Sequence, residues 1–126
     1  MHVELVSPER ILFSGDAEMV ICRTVGGGDI AFMAGHAPFL GALDDAAVRI
    51  RTTEGEWEEA AVHFGFVHVR DDNVILLSDL AELASQIDFE RARRDLEELE
   101  RHVMETDDAA VQARLARVRV RVSLAP

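Results

Sequence analysis

The chain has 126 residues, 48% of them hydrophobic, a formal net charge of −11 and one cysteine, Cys22. This length allows one compact domain with a small appendage, and the acidity argues against nucleic acid and anionic membrane surfaces as partners. One cysteine excludes an internal disulfide, and no apolar run is long enough to cross a bilayer. We therefore expect a cytosolic protein with no nucleic-acid partner and no direct membrane insertion.

Residues 1–83 carry the pattern of β-strands, with turn signals recurring along the chain. The segment 47–53 alternates apolar and polar residues, as expected for a sheet with one solvated face. Two strands are predicted at residues 11–13 and 19–25, separated by a turn at residues 14–16. The pattern predicts an antiparallel β-sandwich or barrel.

The most distinctive segment is residues 26–40, GGGDIAFMAGHAPFL. Its three successive glycines allow positive φ angles and a close approach of the backbone to a partner. A second turn follows at residues 35–38, because Pro38 fixes its own φ and keeps Ala37 out of the helical region. No Gly-Lys-Ser/Thr follows the glycines, so the segment is not a phosphate-binding loop. It is either a docking loop or a wide connection between strands without a partner.

Near Glu82 the period of the apolar residues changes from that of a strand to that of a helix. Ser85 or Asp88 can cap the first helix, and the segment Thr106-Asp107-Asp108 ends it and caps a second helix. Two apolar seams follow, at Phe89, Ala92, Leu96, Leu99 and Val103 and at Val111, Leu115, Val118 and Val122. The loop between them is short, so residues 84–126 are predicted to form an antiparallel helical hairpin. A hairpin with one seam is marginal alone and is a candidate moving part.

Several motifs together resemble the ε subunit of F-type ATP synthases from end to end. They are SPER at residues 7–10, GDI at 28–30, GHAPFL at 35–40, DNVILLSD at 72–79 and IDFERA at 87–92. The resemblance implies a β-sandwich of about ten strands over residues 1–83, followed by a helical hairpin over residues 84–126. It also implies a non-catalytic subunit of the central rotor stalk, placed peripherally at the cytoplasmic face of the bacterial cell membrane.

The resemblance further implies the contact residues of this rotor subunit. The loop expected to face the ring of c subunits comprises Gly27, Gly28, Asp29, Ile30, Ala31 and Phe32. The turn expected to lie towards the γ subunit comprises His36, Ala37 and Pro38. The sequence departs from the usual family pattern at three positions, because Ala31 and Phe64 stand where glycine is common and Ala34 stands where proline is common.

In some bacterial relatives the segment that matches IDFERA forms part of an ATP site. The matching candidates are Glu82, Ile87, Asp88, Arg91 and Ala92, completed by Arg117 and Arg121 of the second helix, with Arg114 as the alternative arginine. Arginine forks bind phosphate well, and a carboxylate can accept from the adenine amine or a ribose hydroxyl. The simpler alternative is that Asp88 only caps the helix and Arg91 pairs with Asp95, Glu97 or Glu98. No cofactor is required, and ATP would be a regulatory ligand.

The resemblance implies that the extended hairpin reaches the catalytic α/β head and inhibits ATP hydrolysis. The alternative function is a stand-alone β-sandwich binding module with a nucleotide-sensing helical tail. The chain contains neither Gly-x-Ser-x-Gly nor His-Glu-x-x-His, so we do not expect an enzyme. His63 and His68 would point to opposite faces if they shared one strand, so structural histidines are favoured over the alternative, a zinc site formed by His36, His63 and His68.

Overall fold

The computed structural model describes all 126 residues as nine strands, one 3-10 turn and two helices. The elements are β1 (His2–Ser7), β2 (Arg10–Thr24), β3 (Gly28–Met33), β4 (Phe39–Leu43), β5 (Ala46–Thr52), β6 (Trp57–His63), β7 (Gly65–Arg70), β8 (Asn73–Leu77), β9 (Leu80–Leu83), the 3-10 turn Ala84–Gln86, α1 (Phe89–Val103) and α2 (Ala109–Ser123). The predicted β-sandwich followed by two helices is confirmed, with nine strands rather than about ten.

The strands follow the order β1-β8-β7-β4-β2-β5-β6-β9, with β3 paired to β2. Because β1 also pairs with the first half of β2, the ladder closes on itself as a sandwich with few free edges. The pairings are antiparallel except for β1 with β8, which is parallel. That pair brings the first and eighth strands side by side, although most of the chain separates them.

The turn predicted at residues 14–16 is wrong, because these residues lie inside the 15-residue strand β2. Their polar side chains stay in a strand since β1 pairs with them, Glu4 opposite Ser14 and His2 opposite Asp16. Beyond this point β2 passes from β1 to β5, with a register shift between Ala17 and Met19. A shift of this kind bends a strand and lets it serve both layers of a sandwich.

The core of the sandwich is formed by alternate residues of the strands, and 15 buried residues make one continuous cluster. Val48 and Ile50 of β5 point inward, as the period-two pattern predicts. Cys22 lies in the same cluster, and burial raises the pKa of its thiol to about 12. The thiol therefore stays protonated and unreactive at neutral pH.

The two helices form a second apolar cluster that is separate from the sandwich core. It consists of Leu99, Val111, Leu115 and Val118, with Leu96, Val103 and Val122 packed against them. The carboxylates of Asp88 and Asp108 cap the helices, accepting from Arg91 N at 3.1 Å and from Ala110 N at 2.9 Å. The predicted seam between the helices is thus confirmed for seven of its nine residues, all except Phe89 and Ala92, and the chain contains two separate apolar cores.

Candidate functional site

Helix α2 lies against β5 and β6, and a cleft opens on each side of it. The first, which we call the front cleft, has a volume of about 620 Å³. Its lining is mostly charged: Ser7, Glu9, Arg10, His63, Asp79, Leu80, Ala81, Glu82, Asp95, Arg114, Arg117, Val118 and Arg121. The hairpin and the sandwich therefore meet across a polar cleft, not through a shared core.

One ion pair joins the helices to the sandwich in the front cleft. Nε of Arg121 lies 2.5 Å from Oε1 of Glu82, as an ion pair without an aligned hydrogen bond. Both side chains are largely buried, at 22% and 29% exposed, so the pair is less screened than one on the open surface. Arg114 and Arg117 line the same cleft and have no carboxylate within 4.0 Å. The cleft thus offers two guanidinium groups that are free to bind an anion.

The structure brings together only part of the predicted nucleotide site. Three of its seven residues, Glu82, Arg117 and Arg121, line the front cleft together with the alternative residue Arg114. Ile87 and Ala92 are buried, the Asp88 carboxylate caps α1, and Asp88 and Arg91 are absent from the cleft lining. Arg91 forms no ion pair with Asp95, Glu97 or Glu98, the partners expected in the simpler alternative.

His63 is a residue of the front cleft that sequence reasoning missed. It ends β6, whereas His68 lies in β7, so the two histidines do not share a strand. The chain turns between them because Phe64 adopts a left-handed conformation, with φ of 60°. The only sequence signal for burial was its position at the end of the apolar run 60–62.

The surroundings of His63 disfavour its charged form. Its side chain is 8% exposed, and Nδ1 has no hydrogen-bond partner. Burial lowers the pKa of the imidazole, and the charges of Arg117 and Arg121 act in the same direction, against Asp45 and Glu82. His63 is therefore a neutral imidazole beneath the arginines of α2.

The predicted ring-facing loop forms the turn between β2 and β3 and the start of β3. Gly26 and Gly28 have positive φ angles of 75° and 70°, so the tight turn requires glycine there. Asp29 is exposed, and its Oδ1 lies 2.9 Å from Nε of Arg23, whose pKa it raises. Gly27, Gly28 and Ala31 are exposed and Ile30 is half-buried. Phe32 is fully buried, so its side chain packs in the core instead of facing a partner.

The predicted γ-facing turn lies at the other end of β3. The His36 ring packs edge-on against Phe32, with centroids 4.8 Å apart, and the Gly35 N–H donates to Oδ1 of Asp72 at 3.2 Å. Ala37 and Pro38 are exposed. A six-residue strand spans roughly 20 Å, so the two predicted contact surfaces stand well apart.

An exposed apolar patch begins directly after Pro38. Leu40 of β4, Phe66 of β7 and Ile75 and Leu77 of β8 are between 42% and 71% exposed. The register places Phe66 opposite Leu77 and places His68 opposite both Leu40 and Ile75, so these side chains share one outer surface. We call these four residues the apolar face. Contiguous apolar surface of this kind is typical of an interaction site.

The rear cleft, of about 400 Å³, lies on the other side of α2. It is lined by Ile21, Arg23, Asp29, Asp45, Ala46, Ala47, Arg49, Arg119, Val120 and Ser123. Arg119 of the docked helix thus shares a cleft with Asp29 of the β2–β3 turn. None of the helices is long and apolar enough to span a membrane.

Comparison with known proteins identifies the family. The sequence profile described as ATP synthase, Delta/Epsilon chain, beta-sandwich domain matches residues 1–84. The ATP synthase epsilon chain of Streptomyces griseus is 47% identical over 121 residues, covering 96% of this chain and 93% of the relative. That of Thermobifida fusca is 44% identical over 128 residues, covering 99% and 91%.

A solved structure has a similar fold. It is a chain of the Euglena gracilis mitochondrial ATP synthase, with a TM-score of 0.77 and 23% identity, covering 92% of this chain and 74% of that one. The two epsilon chains match this chain along both the sandwich and the hairpin. The chain belongs to the ATP synthase epsilon chain family, whose members are non-catalytic subunits of the synthase.

Proposed function

We propose that the chain couples the γ subunit to the ring of c subunits in the central rotor stalk of a bacterial ATP synthase. Its hairpin inhibits ATP hydrolysis when it leaves the sandwich and extends towards the catalytic head. The observation that carries this proposal is that the sandwich and the hairpin have separate apolar cores. A single ion pair, between Arg121 and Glu82, joins the two parts. The hairpin can leave the sandwich without opening either core, so the sandwich keeps its shape while the helices move.

The apolar face and the adjoining His36 turn form the surface that binds γ. Leu40 lies two residues after Pro38, so the turn and the face are continuous. The side chains are displayed on paired strands of a closed sandwich, which fixes their positions before binding. A preformed apolar surface loses little conformational entropy on association, as a permanent contact between rotor subunits requires.

Replacing Leu40 with aspartate is expected to weaken co-purification with γ by about tenfold or more, because a charge would be buried against an apolar partner. The measurement is a pull-down of γ by the tagged full chain at several salt concentrations. Met104→Asp is the matched control, since Met104 is 87% exposed at the tip of the hairpin, away from the sandwich. Equal recovery of γ by both variants would contradict the assignment of the apolar face.

The β2–β3 turn forms the surface that meets the ring of c subunits. Asp29 presents an exposed carboxylate beside glycines whose amides are free of bulky side chains. In the free chain Asp29 is held by Arg23, and basic or amide side chains of the ring would compete for the same carboxylate. Because β3 separates this turn from the His36 turn, one rigid body can contact γ and the ring at different places.

A second role of the hairpin is favoured by the unpaired arginines of the front cleft. ATP fits this cleft by charge, with its phosphates on Arg114 and Arg117 and the cleft acids near the base or ribose. A ligand that bridges α2 and the sandwich binds only the docked state, so it holds the hairpin down. ATP then acts as a regulatory ligand and not as a substrate.

Calorimetric titration of ATP into the full chain is expected to show saturable binding that Arg117→Ala weakens by roughly tenfold. Arg119→Ala is the matched control on the same helix, because Arg119 lines the rear cleft. Arg91→Ala tests whether the IDFERA segment takes part, and unchanged binding would confine the site to the front cleft. Absence of binding at millimolar ATP would remove the sensor role and leave the rotor role intact.

A further inference from the structure

His63 occupies the place where the docked hairpin covers the sandwich. It stands at the end of β6, lines the front cleft and is 8% exposed. Its Nδ1 is buried and has no hydrogen-bond partner. A buried polar nitrogen without a partner is uncommon in a folded protein and calls for a reason.

Charged groups face His63 from every element around it. Arg114, Arg117 and Arg121 come from α2, Asp95 from α1, Glu82 from β9, Asp79 from the β8–β9 connection, Asp45 from the β4–β5 turn, and Glu9 and Arg10 from the β1–β2 turn. Within this set, Glu82 is already paired with Arg121. The carboxylate that joins the hairpin to the sandwich is thus also one of those that favour a protonated His63.

Protonation of His63 would place a second N–H and a positive charge beneath two guanidinium groups. The new cation has two alternatives: it remains unpaired beside Arg117 and Arg121, or it draws Glu82 away from Arg121. The first alternative buries an uncompensated charge, and the second breaks the ion pair between hairpin and sandwich. Both weaken the docked state, and both are relieved when α2 leaves and water reaches the ring.

We propose that His63 is a pH switch that releases the hairpin from the sandwich when its imidazole becomes protonated. The proposal rests on the proposed function, in which the released hairpin is the inhibitory form. Acidification of the surrounding solution would then shift the hairpin towards the head and slow ATP hydrolysis.

The direction in which pH shifts the docking of the hairpin follows from the pKa of the imidazole in the docked and released states. Its pKa is lowered while α2 covers it and returns towards the ordinary value near 6.5 once α2 leaves. Docking is therefore fully favoured above about pH 6.5 and is lost as the pH falls towards the lowered value of the docked state. Because up to one proton is taken up per release, the ratio of docked to released hairpins falls by up to about fivefold between pH 6.5 and pH 5.5.

The test is fluorescence energy transfer within the full chain, with dyes on Glu54→Cys in the β5–β6 turn and Met104→Cys at the hairpin tip. Cys22 stays unlabelled because it is buried. In the parent chain the transfer efficiency is expected to change between pH 7.5 and pH 5.5. In the His63→Gln variant it is expected to stay constant, because glutamine cannot be protonated.

His68→Gln is the matched control, because His68 is exposed on the neighbouring strand and this variant keeps His63. It is expected to titrate like the parent chain, while near-ultraviolet circular dichroism shows at each pH that the sandwich stays folded. An equal pH response in the His63→Gln variant, or no response in the parent, would overturn the switch. Neither result bears on hydrolysis by a truncated subunit at constant pH, which tests the proposed function separately.

Discussion

A synthase assembled with a chain that ends at Leu83 is expected to hydrolyse ATP faster than the intact enzyme, by roughly twofold to tenfold. If the extended hairpin holds a fraction f of the enzymes inactive, its removal raises the rate by a factor of 1/(1−f), so a tenfold rise corresponds to about nine in ten enzymes held inactive. The truncation removes both helices and the arginines of α2, and with them the proposed inhibitory element. The measurement is steady-state ATP hydrolysis by membranes or purified enzyme, normalised to the amount of assembled complex.

The truncated chain keeps what the rotor needs. The sandwich core contains no residue of α1 or α2, and the family profile ends at residue 84. Co-purification with γ and proton-driven ATP synthesis are therefore expected to persist. A chain that ends at Leu124 is the matched control, because it loses residues 125 and 126 and keeps both helices. Unchanged hydrolysis in an enzyme that retains the truncated chain would rule out inhibition by the hairpin.

The charge of α2 is suited to both states of the hairpin in the proposed function. It carries four arginines and no acidic residue, and only Arg121 is paired with a carboxylate in the docked state. Arg114 and Arg117 therefore remain available to an anion in the front cleft, and all three unpaired arginines, Arg119 included, remain available to acidic segments of a partner. Since ATP and the catalytic head would compete for the same helix, nucleotide binding and inhibition oppose each other.

The sequence alone predicted those parts of the fold that follow from local periodicity. Alternation over residues 47–53 predicted β5, and the seam from Val111 to Val122 predicted that α2 is helical despite the alternating residues 117–122. The turn predicted at residues 14–16 failed because a polar tripeptide is held in β2 by pairing with β1, a long-range contact without a local signature.

The sequence predicted only those residues of the candidate site whose relative positions follow from their spacing along one helix. Arg117 and Arg121 lie one turn apart on α2, so their shared position followed from the spacing. The position of His63 in the front cleft could not be predicted, because it depends on how α2 packs against β6. The apolar face was hidden as well, since residues 74–77 are apolar throughout and only the pairing with β7 shows that Ile75 and Leu77 point outward.

The backbone at the corner between β6 and β7 is tightly constrained. Phe64 has a φ of 60°, which is unfavourable for a bulky residue, and Gly65 follows it directly. The Ser78 hydroxyl donates to the Phe64 carbonyl oxygen at 2.6 Å and fixes the corner against the end of β8. This close approach of two backbone segments leaves no room for a side chain at residue 65.

Gly65→Ala is expected to destabilise the chain by about 3 kcal/mol or more and to lower its melting temperature by roughly 10 °C. An added Cβ would overlap the Leu77 carbonyl oxygen and would lie 3.0 Å from Ser78 Cα, both of which are backbone atoms. Neither the backbone of residue 65 nor that of residues 77 and 78 can move apart without breaking the pairing of β7 with β8. Thermal and urea unfolding of the full chain, followed by circular dichroism, measure the effect.

Phe64→Gly is the matched control at the neighbouring position. It removes the unfavourable φ of a bulky residue but also removes the contact between the Phe64 and Phe66 rings, whose centroids lie 5.8 Å apart. Because these effects oppose each other, its stability is expected to stay within about 1 kcal/mol of the parent chain. Should Gly65→Ala unfold at the same temperature as Phe64→Gly, the corner would have to be more adaptable than its packing against β8 implies.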